Sequence, residues 1–415
     1  MCIGYIGPFG DSNFGDYAML INNVLDINTG EKNLIFTYDS INTEEICNYY
    51  LKDYDIEYLQ IDIEKPEIQY SKEYTVEFND YPFIPLEMYK KIINRDEIFK
   101  KIKEIDKLIV IGGGYFNHLW NAKHRQNKLL SIMSIILKAN ELGKQIYFLG
   151  NTYGPFLKSE EMFRLFFSSL DLAKFATRDN VYSPIWFKTV CDKRLDLLPD
   201  DLYFLNDVLK NRSERIIEKK YIILEVYYSM QELEENVQYY KEFVDKIKSK
   251  YGLEVIFLPF DVKYGGEYQG KYLSSKIRNL RYFHIQNGRF LKIEDTLNLV
   301  KNAEFVICNR YHLFVFSIAN NIPVIQILKD VLGNKSYYYT KSKGVLDQVF
   351  KNHCYDESLF LAVNVDECFD KVINNLKGII EQQSRLFNNP IKQFNENIML
   401  NNRKKFLYNI IVTSN

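Results

Sequence analysis

The 415-residue chain lacks several features that would each point to a function class. Its six cysteines, Cys2, Cys47, Cys191, Cys308, Cys354 and Cys368, form no C-x-x-C pair and no Cys/His cluster with zinc spacing. Neither a structural zinc site nor a dithiol redox motif is therefore written into it. Scattered single thiols fit a reducing compartment, and Cys308, inside an apolar run, reads as a small buried hydrophobe. Net charge is lacking too: 53 basic against 54 acidic side chains leaves −1. That removes the electrostatic footprint of a nucleic-acid binder. It also requires any anion site to be local, built from a few placed cations and backbone amides. The longest apolar runs reach about ten residues, half of the roughly 20 that a membrane helix needs. No basic-then-apolar leader opens the chain, and Asp11 and Asp16 fall where a signal core would lie. Alanine is scarce, and neither repeats nor low-complexity tracts occur. A cytoplasmic enzyme, without nucleic-acid partners or a bound metal, is the expectation.

What is present points to an α/β fold. At this length, with 47% apolar residues, the chain exceeds one ordinary core and suggests two domains. Short apolar runs ending in turn residues recur at 2–6, 34–37, 107–111, 145–149, 174–176 and 195–198. Residues 128–141 between them place Leu129, Ile132, Met133, Ile136 and Leu137 on one helical face, with Gly143 as the stop. A second series follows at 221–226, 254–258, 282–285, 305–308 and 324–328, with a helical pattern over 237–251. Strands alternating with helices imply parallel sheets covered by helices. The polar stretch 206–220 is the linker candidate. The expected division is an N-terminal Rossmann-like domain over 1–208, a C-terminal one over 209–375, and a helical tail over 376–415, broken near Pro390, that packs back on the first domain. Residues 64–96 read as an irregular excursion over the cleft between the domains.

Ligands of open parallel sheets bind beyond the carboxyl ends of the strands, and five segments carry chemistry there. The first is Gly7 to Asp16 (GPFGDSNFGD). Its spacing mimics a phosphate-binding loop, but Asp16 stands where the lysine would be, which excludes that reading. Asp16 is placed to cap a helix beginning at Tyr17; alternatively, Asn13 and Asp16 bind or deprotonate a substrate hydroxyl. The second is the triplet Gly112, Gly113 and Gly114 after a buried strand, followed by Tyr115, Asn117 and His118. Close packing and ligand contact are equal readings for the triplet. The third is the turn at Gly154-Pro155. The fourth is Ala176-Thr-Arg178-Asp179, where an arginine at a strand end is suited to bidentate capture of a phosphate or carboxylate; an Arg–Asp pair is its structural alternative. The fifth is Asn309-Arg310-Tyr311-His312, between an apolar strand and an almost wholly apolar helix. Burying Arg310 and His312 is costly unless they are paired or used. With Asn309 as a cap and the amides of the helix start, they suit an anion undergoing acid–base chemistry.

These segments, in this order, resemble the polysaccharide pyruvyl transferase family. The resemblance rests on Asn13-Phe-Gly15-Asp16, on Gly112–114, on Gly154-Pro155, and on Ala176-Thr-Arg178-Asp179 with Ser183 one residue later than usual. It rests also on Arg310-Tyr-His312 leading to Pro323-Val-Ile325. It spans about residues 1–350. The resemblance implies two Rossmann-like domains facing across a cleft, as in the B-type glycosyltransferases. It implies pyruvyl transfer from phosphoenolpyruvate to a sugar of a cell-surface glycan or its precursor, forming a ketal.

By matching position, Arg178, Arg310 and His312 would hold the donor, with His312 as proton donor and Asp16 or Asp179 assisting the hydroxyl. Asn13, Gly15, Gly112, Gly113, Gly114 and a lysine after Leu328 (Lys335, with Lys341 and Lys343 as alternatives) complete the substrate-binding set. No cofactor beyond the donor and no metal is called for. The partners are phosphoenolpyruvate and a nucleotide- or lipid-linked sugar, the latter implying peripheral contact with the inner membrane face. Tyr311 replaces the family's leucine, and the segment after Leu328 is longer and more aromatic. Two rival readings stand. One is a nucleotide-sugar glycosyltransferase of the same fold, with Glu294 or Asp295 gripping a ribose. The other is a non-catalytic glycan-binding protein.

Overall fold

The computed structural model describes residues 1–27, 30–63, 85–210, 216–262, 266–285, 290–330 and 335–412. The chain divides into two compact units. The first comprises Met1–Asp11, Met19–Asp201 and Met399–Asn415; the second comprises Ser12–Ala18 and Leu202–Ile398.

The first unit is built on a parallel sheet of eight strands. They are β1 (Cys2–Ile6), β2 (Lys32–Thr37), β3 (Ile56–Gln60), β4 (Lys107–Val110), β5 (Gly113–Phe116), β6 (Gln145–Tyr153), β7 (Ala173–Thr177) and β8 (Leu195–Leu197). The order is β3-β2-β1-β4-β6-β7-β8, with β5 paired to β6 beside this path. The second unit holds β9 (Tyr221–Leu224), β10 (Glu254–Phe257), β11 (Leu280–Tyr282), β12 (Phe305–Cys308), β13 (Val324–Ile327) and β14 (Leu361–Ala362). Its order is β11-β10-β9-β12-β13-β14, again all parallel. Each sheet reverses winding direction once, between β1 and β4 in the first and between β9 and β12 in the second. Such a switch point opens a crevice at the carboxyl ends of the strands.

Helices cover the sheets. The first seven are α1 (Phe14–Ile27), α2 (Ser40–Leu51), α3 (Pro85–Lys91), α4 (Arg95–Glu104), α5 (Lys123–Glu141), α6 (Glu160–Ser168) and α7 (Tyr182–Val190). There follow α8 (Met230–Tyr251), α9 (Glu267–Lys276), α10 (Ile293–Lys301), α11 (Tyr311–Ala319), α12 (Ser336–Val349), α13 (Val365–Phe387) and α14 (Pro390–Val412). Local chemistry sets their ends. Ser229 and Glu232 form a capping box at the start of α8, and Gly252, left-handed at φ 67°, ends it. Each unit has its own apolar core. In the first, Phe148 of β6 stacks on Phe175 of β7 at 4.7 Å, under Phe167 of α6 and Phe187 of α7. In the second, Phe243 of α8 stacks on Phe369 of α13 at 3.8 Å.

The chain's last helix begins in the second unit and ends in the first. Within the first unit its Arg403, 2% exposed, is held at 2.9 Å by Asp201 and at 2.9 Å by Asp26, and donates to Asn23 at 2.7 Å. A buried arginine in three polar contacts is satisfied, and removing any partner would strand a charge in the core.

Several expectations differ in detail. The division falls after Asp201, ahead of the polar stretch at 206–220, part of which lies outside the described residues. Residues 202–398, including the first part of the tail, belong to the second unit, as does the short segment Ser12–Ala18. β11 ends at Tyr282 rather than beginning there, and β3, β5 and β14 were not expected. Of the excursion at 64–96, residues 64–84 lie outside the described residues, while α3 and the start of α4 are regular helix.

Candidate active site

The crevice at the switch point of the second unit gathers charged side chains from four adjacent strands. β9 runs apolar to Leu224 and then delivers Glu225, fully buried. β10 leads to Asp261, 2% exposed, β12 to Asn309 and Arg310, and β13 to Lys329. Glu225 Oε2 accepts the backbone N–H of Asn309 at 2.9 Å and of Arg310 at 2.8 Å. Its Oε1 lies 3.9 Å from Arg310 Nε. Burial pushes the Glu225 carboxyl up, while Arg310 and the two amides pull it down, and the net direction is upward. Arg310 also donates to Asp261 at 3.3 Å. Its guanidinium lies 4.1 Å from the centre of the Tyr227 ring, and the Lys329 ammonium lies 3.7 Å from the same ring. Desolvation works against the charge of Arg310, but Asp261, Tyr227 and Glu225 outweigh it and raise its pKa.

Asn309 was expected to cap α11 and does something else. Its side chain accepts from the Tyr227 N–H at 2.9 Å and donates to the Ile327 carbonyl at 2.9 Å, tying β9, β12 and β13 together. The amides of Asn309 and Arg310, just ahead of α11, are taken by Glu225.

The segment Ser12–Ala18 belongs to this same unit. Phe14 packs on Phe260 at 4.5 Å and Phe316 at 5.4 Å. α1 begins at Phe14 rather than Tyr17, so Asp16 lies inside the first turn; the turn is closed by Asn13, whose Oδ1 accepts the Gly15 N–H at 3.0 Å. Gly15 faces His312: a Cβ there would stand 1.8 Å from the imidazole Nδ1. Gly15 is thus brought to His312 as a seat for the imidazole, with Asn13 and Asp16 on the same turn. Lys335 is not brought there. It donates to the Val363 carbonyl. Lys341 lies over Tyr337 at 3.6 Å, and Lys343 pairs with Asp347 at 2.7 Å. The lysine that shares the Tyr227 ring with Arg310 is Lys329. Glu294 and Asp295 lie in the first turn of α10.

The remaining expected residues belong to the first unit, where the geometry is structural. Arg178 is 1% exposed; it pairs with Asp200 at 2.6 Å and donates to Thr152 at 2.9 Å. The arginine expected to meet the donor is therefore committed inside its own unit, because the sequence LPDD places Asp200 opposite it. Asp179, buried, accepts the amides of Tyr182 at 2.8 Å and Ser183 at 2.9 Å and the Ser183 hydroxyl. Its oxygens thus hold the chain at the start of α7 inside the first unit; burial raises its pKa against these bonds. Gly112 donates to Asp201 at 3.0 Å, and a Cβ on it would meet that carboxylate at 2.5 Å and the Gly150 carbonyl at 2.9 Å. Gly113 opens β5, and the Gly114 carbonyl accepts from Asn117 at 2.8 Å. Tyr115, Asn117 and His118 are buried rather than facing a cleft, with His118 Nδ1 at 2.7 Å from the Ser159 hydroxyl. Among the described residues no cluster of His, Cys, Asp and Glu is placed to hold a metal ion. No described helix is long and apolar enough to cross a membrane.

Glu225, Asp261, Lys329 and Tyr227 were not anticipated. A signal existed: each follows the last apolar residue of a buried parallel strand, the position where ligand-binding groups collect.

The sequence profile of polysaccharide pyruvyl transferases matches residues 13–328, from the asparagine of the first turn to the end of β13. The chain belongs to the polysaccharide pyruvyl transferase family. Among curated proteins, none matches this transferase in sequence. Solved structures similar to it include a putative UDP-N-acetylglucosamine 2-epimerase from Listeria monocytogenes, with TM-score 0.59 and 11% identity over 100% of this chain and 98% of that one. Another is HepE from Anabaena in complex with UDP and glucose, with TM-score 0.55 and 10% identity over 99% of each chain. MurG from Acinetobacter baumannii aligns with TM-score 0.50 and 11% identity over 97% of this chain and 99% of that one. At these identities the likeness establishes the fold, the two-Rossmann architecture of B-type glycosyltransferases and related epimerases.

Proposed function

We propose that this transferase moves a pyruvyl group from phosphoenolpyruvate to a sugar of a cell-surface glycan or its precursor, closing a cyclic ketal. The observation that carries the reading is Arg310: a half-buried guanidinium at the switch point, sharing the Tyr227 ring with Lys329 and two residues before His312. Two cations on one ring suit a donor bearing both a phosphate and a carboxylate. Asp261, now on Arg310, gives way to the donor's carboxylate. Arg178 and Asp179 have no part in this reading.

The reaction needs a proton on the methylene carbon of the donor, which makes the neighbouring carbon electrophilic. His312, half-buried and seated on Gly15, supplies it. A sugar hydroxyl then adds and loses its proton, with Asp16 in the first turn of α1 as acceptor. The carbon–oxygen bond to phosphate breaks, phosphate leaves with the proton held by Asp16, and a second hydroxyl adds to the same carbon to close the ketal, its proton restoring the imidazolium of His312. No cofactor enters the balance.

Phosphate release from phosphoenolpyruvate across a panel of nucleotide- and lipid-linked sugars tests this. Acceptor-dependent release is expected. Release of nucleoside diphosphate from a nucleotide sugar, with none from phosphoenolpyruvate, would replace the reading with glycosyl transfer. Binding of glycan without turnover of either donor would leave a glycan-binding protein. A lipid-linked acceptor would place the enzyme at the inner membrane face.

A further inference from the structure

We propose that Glu225 is the positioning residue of the donor arginine, fixing both the backbone of Arg310 and the angle of its side chain; the inference rests on the assignment of Arg310 to the donor. The two residues are 85 apart in sequence but adjacent across the switch point, because β9 pairs with β12. One carboxylate performs two tasks. Oε2 accepts the amides of Asn309 and Arg310, the two residues that join β12 to α11, and so fixes the backbone that carries the guanidinium. Oε1 accepts no hydrogen bond among the described residues and stands 3.9 Å from Arg310 Nε. It faces the inner edge of the guanidinium electrostatically, while the outer nitrogen Nη2 donates to Asp261 at 3.3 Å. The next segment of the same strand end completes the mount: Tyr227 lies under the guanidinium plane at 4.1 Å, and its backbone N–H is held by Asn309.

The division of labour explains a costly feature. A fully buried carboxylate with one oxygen unsatisfied is destabilising, and a glutamine or an apolar residue with a conventional cap would serve the fold better. A planar fork, however, binds an anion with full strength only when its orientation is preset. Glu225 supplies that orientation from the strand that does not carry the arginine.

Glu225→Gln tests the idea. It keeps the volume and one carbonyl oxygen for the two amides but removes the charge beside Arg310 Nε. The KM for phosphoenolpyruvate should rise about tenfold, the scale of one lost charged contact, while kcat at saturating donor stays within about threefold and the melting temperature changes little. An unchanged KM, or a fall in kcat alone, would overturn the proposal. A donor-free measurement separates this from the functional reading. The Nε–H resonance of Arg310, identified by its loss in Arg310→Lys, should exchange with water faster in Glu225→Gln than in the unaltered protein. If no acceptor supports turnover, the functional reading fails while this measurement still decides on Glu225, and an unchanged exchange rate rejects it. Should Glu225→Gln not fold, Glu225→Asp, which keeps the charge but shortens its reach, is read in the same two ways.

Discussion

His312 and Gly15 meet so closely that no side chain fits at position 15. A Cβ there would lie 1.8 Å from Nδ1 and 2.2 Å from Cε1 of the imidazole. The obstacle is a ring on a rotatable bond, so Gly15→Ala should fold with His312 turned away from its seat. Overpacking of this kind costs about 1–3 kcal/mol. Turnover should fall as far as it does when His312 itself is replaced. Adding His312→Ala to Gly15→Ala should restore stability toward that of His312→Ala alone, measured by denaturant melts. A Gly15→Ala protein with undiminished turnover would mean that the seated imidazole is not the reacting one.

Arg178 and Asp200 are a buried pair with side-chain exposures of 1% and 0%. Arg178→Met should therefore act on stability, losing about 3–5 kcal/mol because Asp200 is left charged in the core. Replacing both, as Arg178→Met with Asp200→Leu, should recover most of the loss. Equilibrium unfolding checks both values. A stable Arg178→Met protein with weakened donor binding would return Arg178 to the donor site.

The His118 imidazole is buried against Ser159, and burial, with nearby Lys158, lowers its pKa below the usual histidine value. A depressed pKa in the fold means that the unfolded chain binds the proton more readily. The stability His118 contributes is then complete above the ordinary histidine pKa of about 6.5 and is lost as pH falls through its lower folded value. His118→Asn should flatten the fall in melting temperature between neutral and mildly acidic pH. An identical pH profile in the two proteins would contradict the assignment.

Much of the fold was legible because buried parallel strands are short apolar runs, and all the described strands except β3, β5 and β14 were anticipated from such runs, β11 with displaced bounds. β3 (IEYLQ) and the two-residue β14 carry too little apolar character to stand out. The β5 strand begins inside the glycine triplet, at Gly113, where no apolar side chain marks it. At the site, Arg310 and His312 were legible because polar groups interrupt an apolar helix start. Glu225, Asp261 and Lys329 were not, since single charges after strands look like ordinary turn polarity until the sheet order makes β9, β10, β12 and β13 neighbours. Arg178 shows the converse difficulty. An arginine at a strand end reads the same whether it faces a ligand or a buried aspartate, and only Asp200 at 2.6 Å decides.

Arg310 and His312 should separate binding from chemistry. Arg310→Ala removes the guanidinium that Glu225, Asp261 and Tyr227 hold in place. Charged hydrogen bonds are worth roughly 1.5–3 kcal/mol, so donor affinity should fall about ten- to a hundredfold. Arg310→Lys should recover part of it, because an ammonium cannot make the planar fork. The same variant leaves the two carboxylates with a cation nearby, so it should melt above Arg310→Ala. His312→Gln keeps a polar group of similar reach but cannot deliver a proton at neutral pH. Turnover should fall roughly 10²–10⁴-fold while donor binding changes less. A structural role alone would instead lower the melting temperature of both variants without dividing their kinetics. Calorimetric titration with phosphoenolpyruvate, turnover at saturating donor and a melting curve on each variant tell these outcomes apart. A folded His312→Gln protein with near-normal turnover would remove His312 from the mechanism and leave the proton donor unassigned.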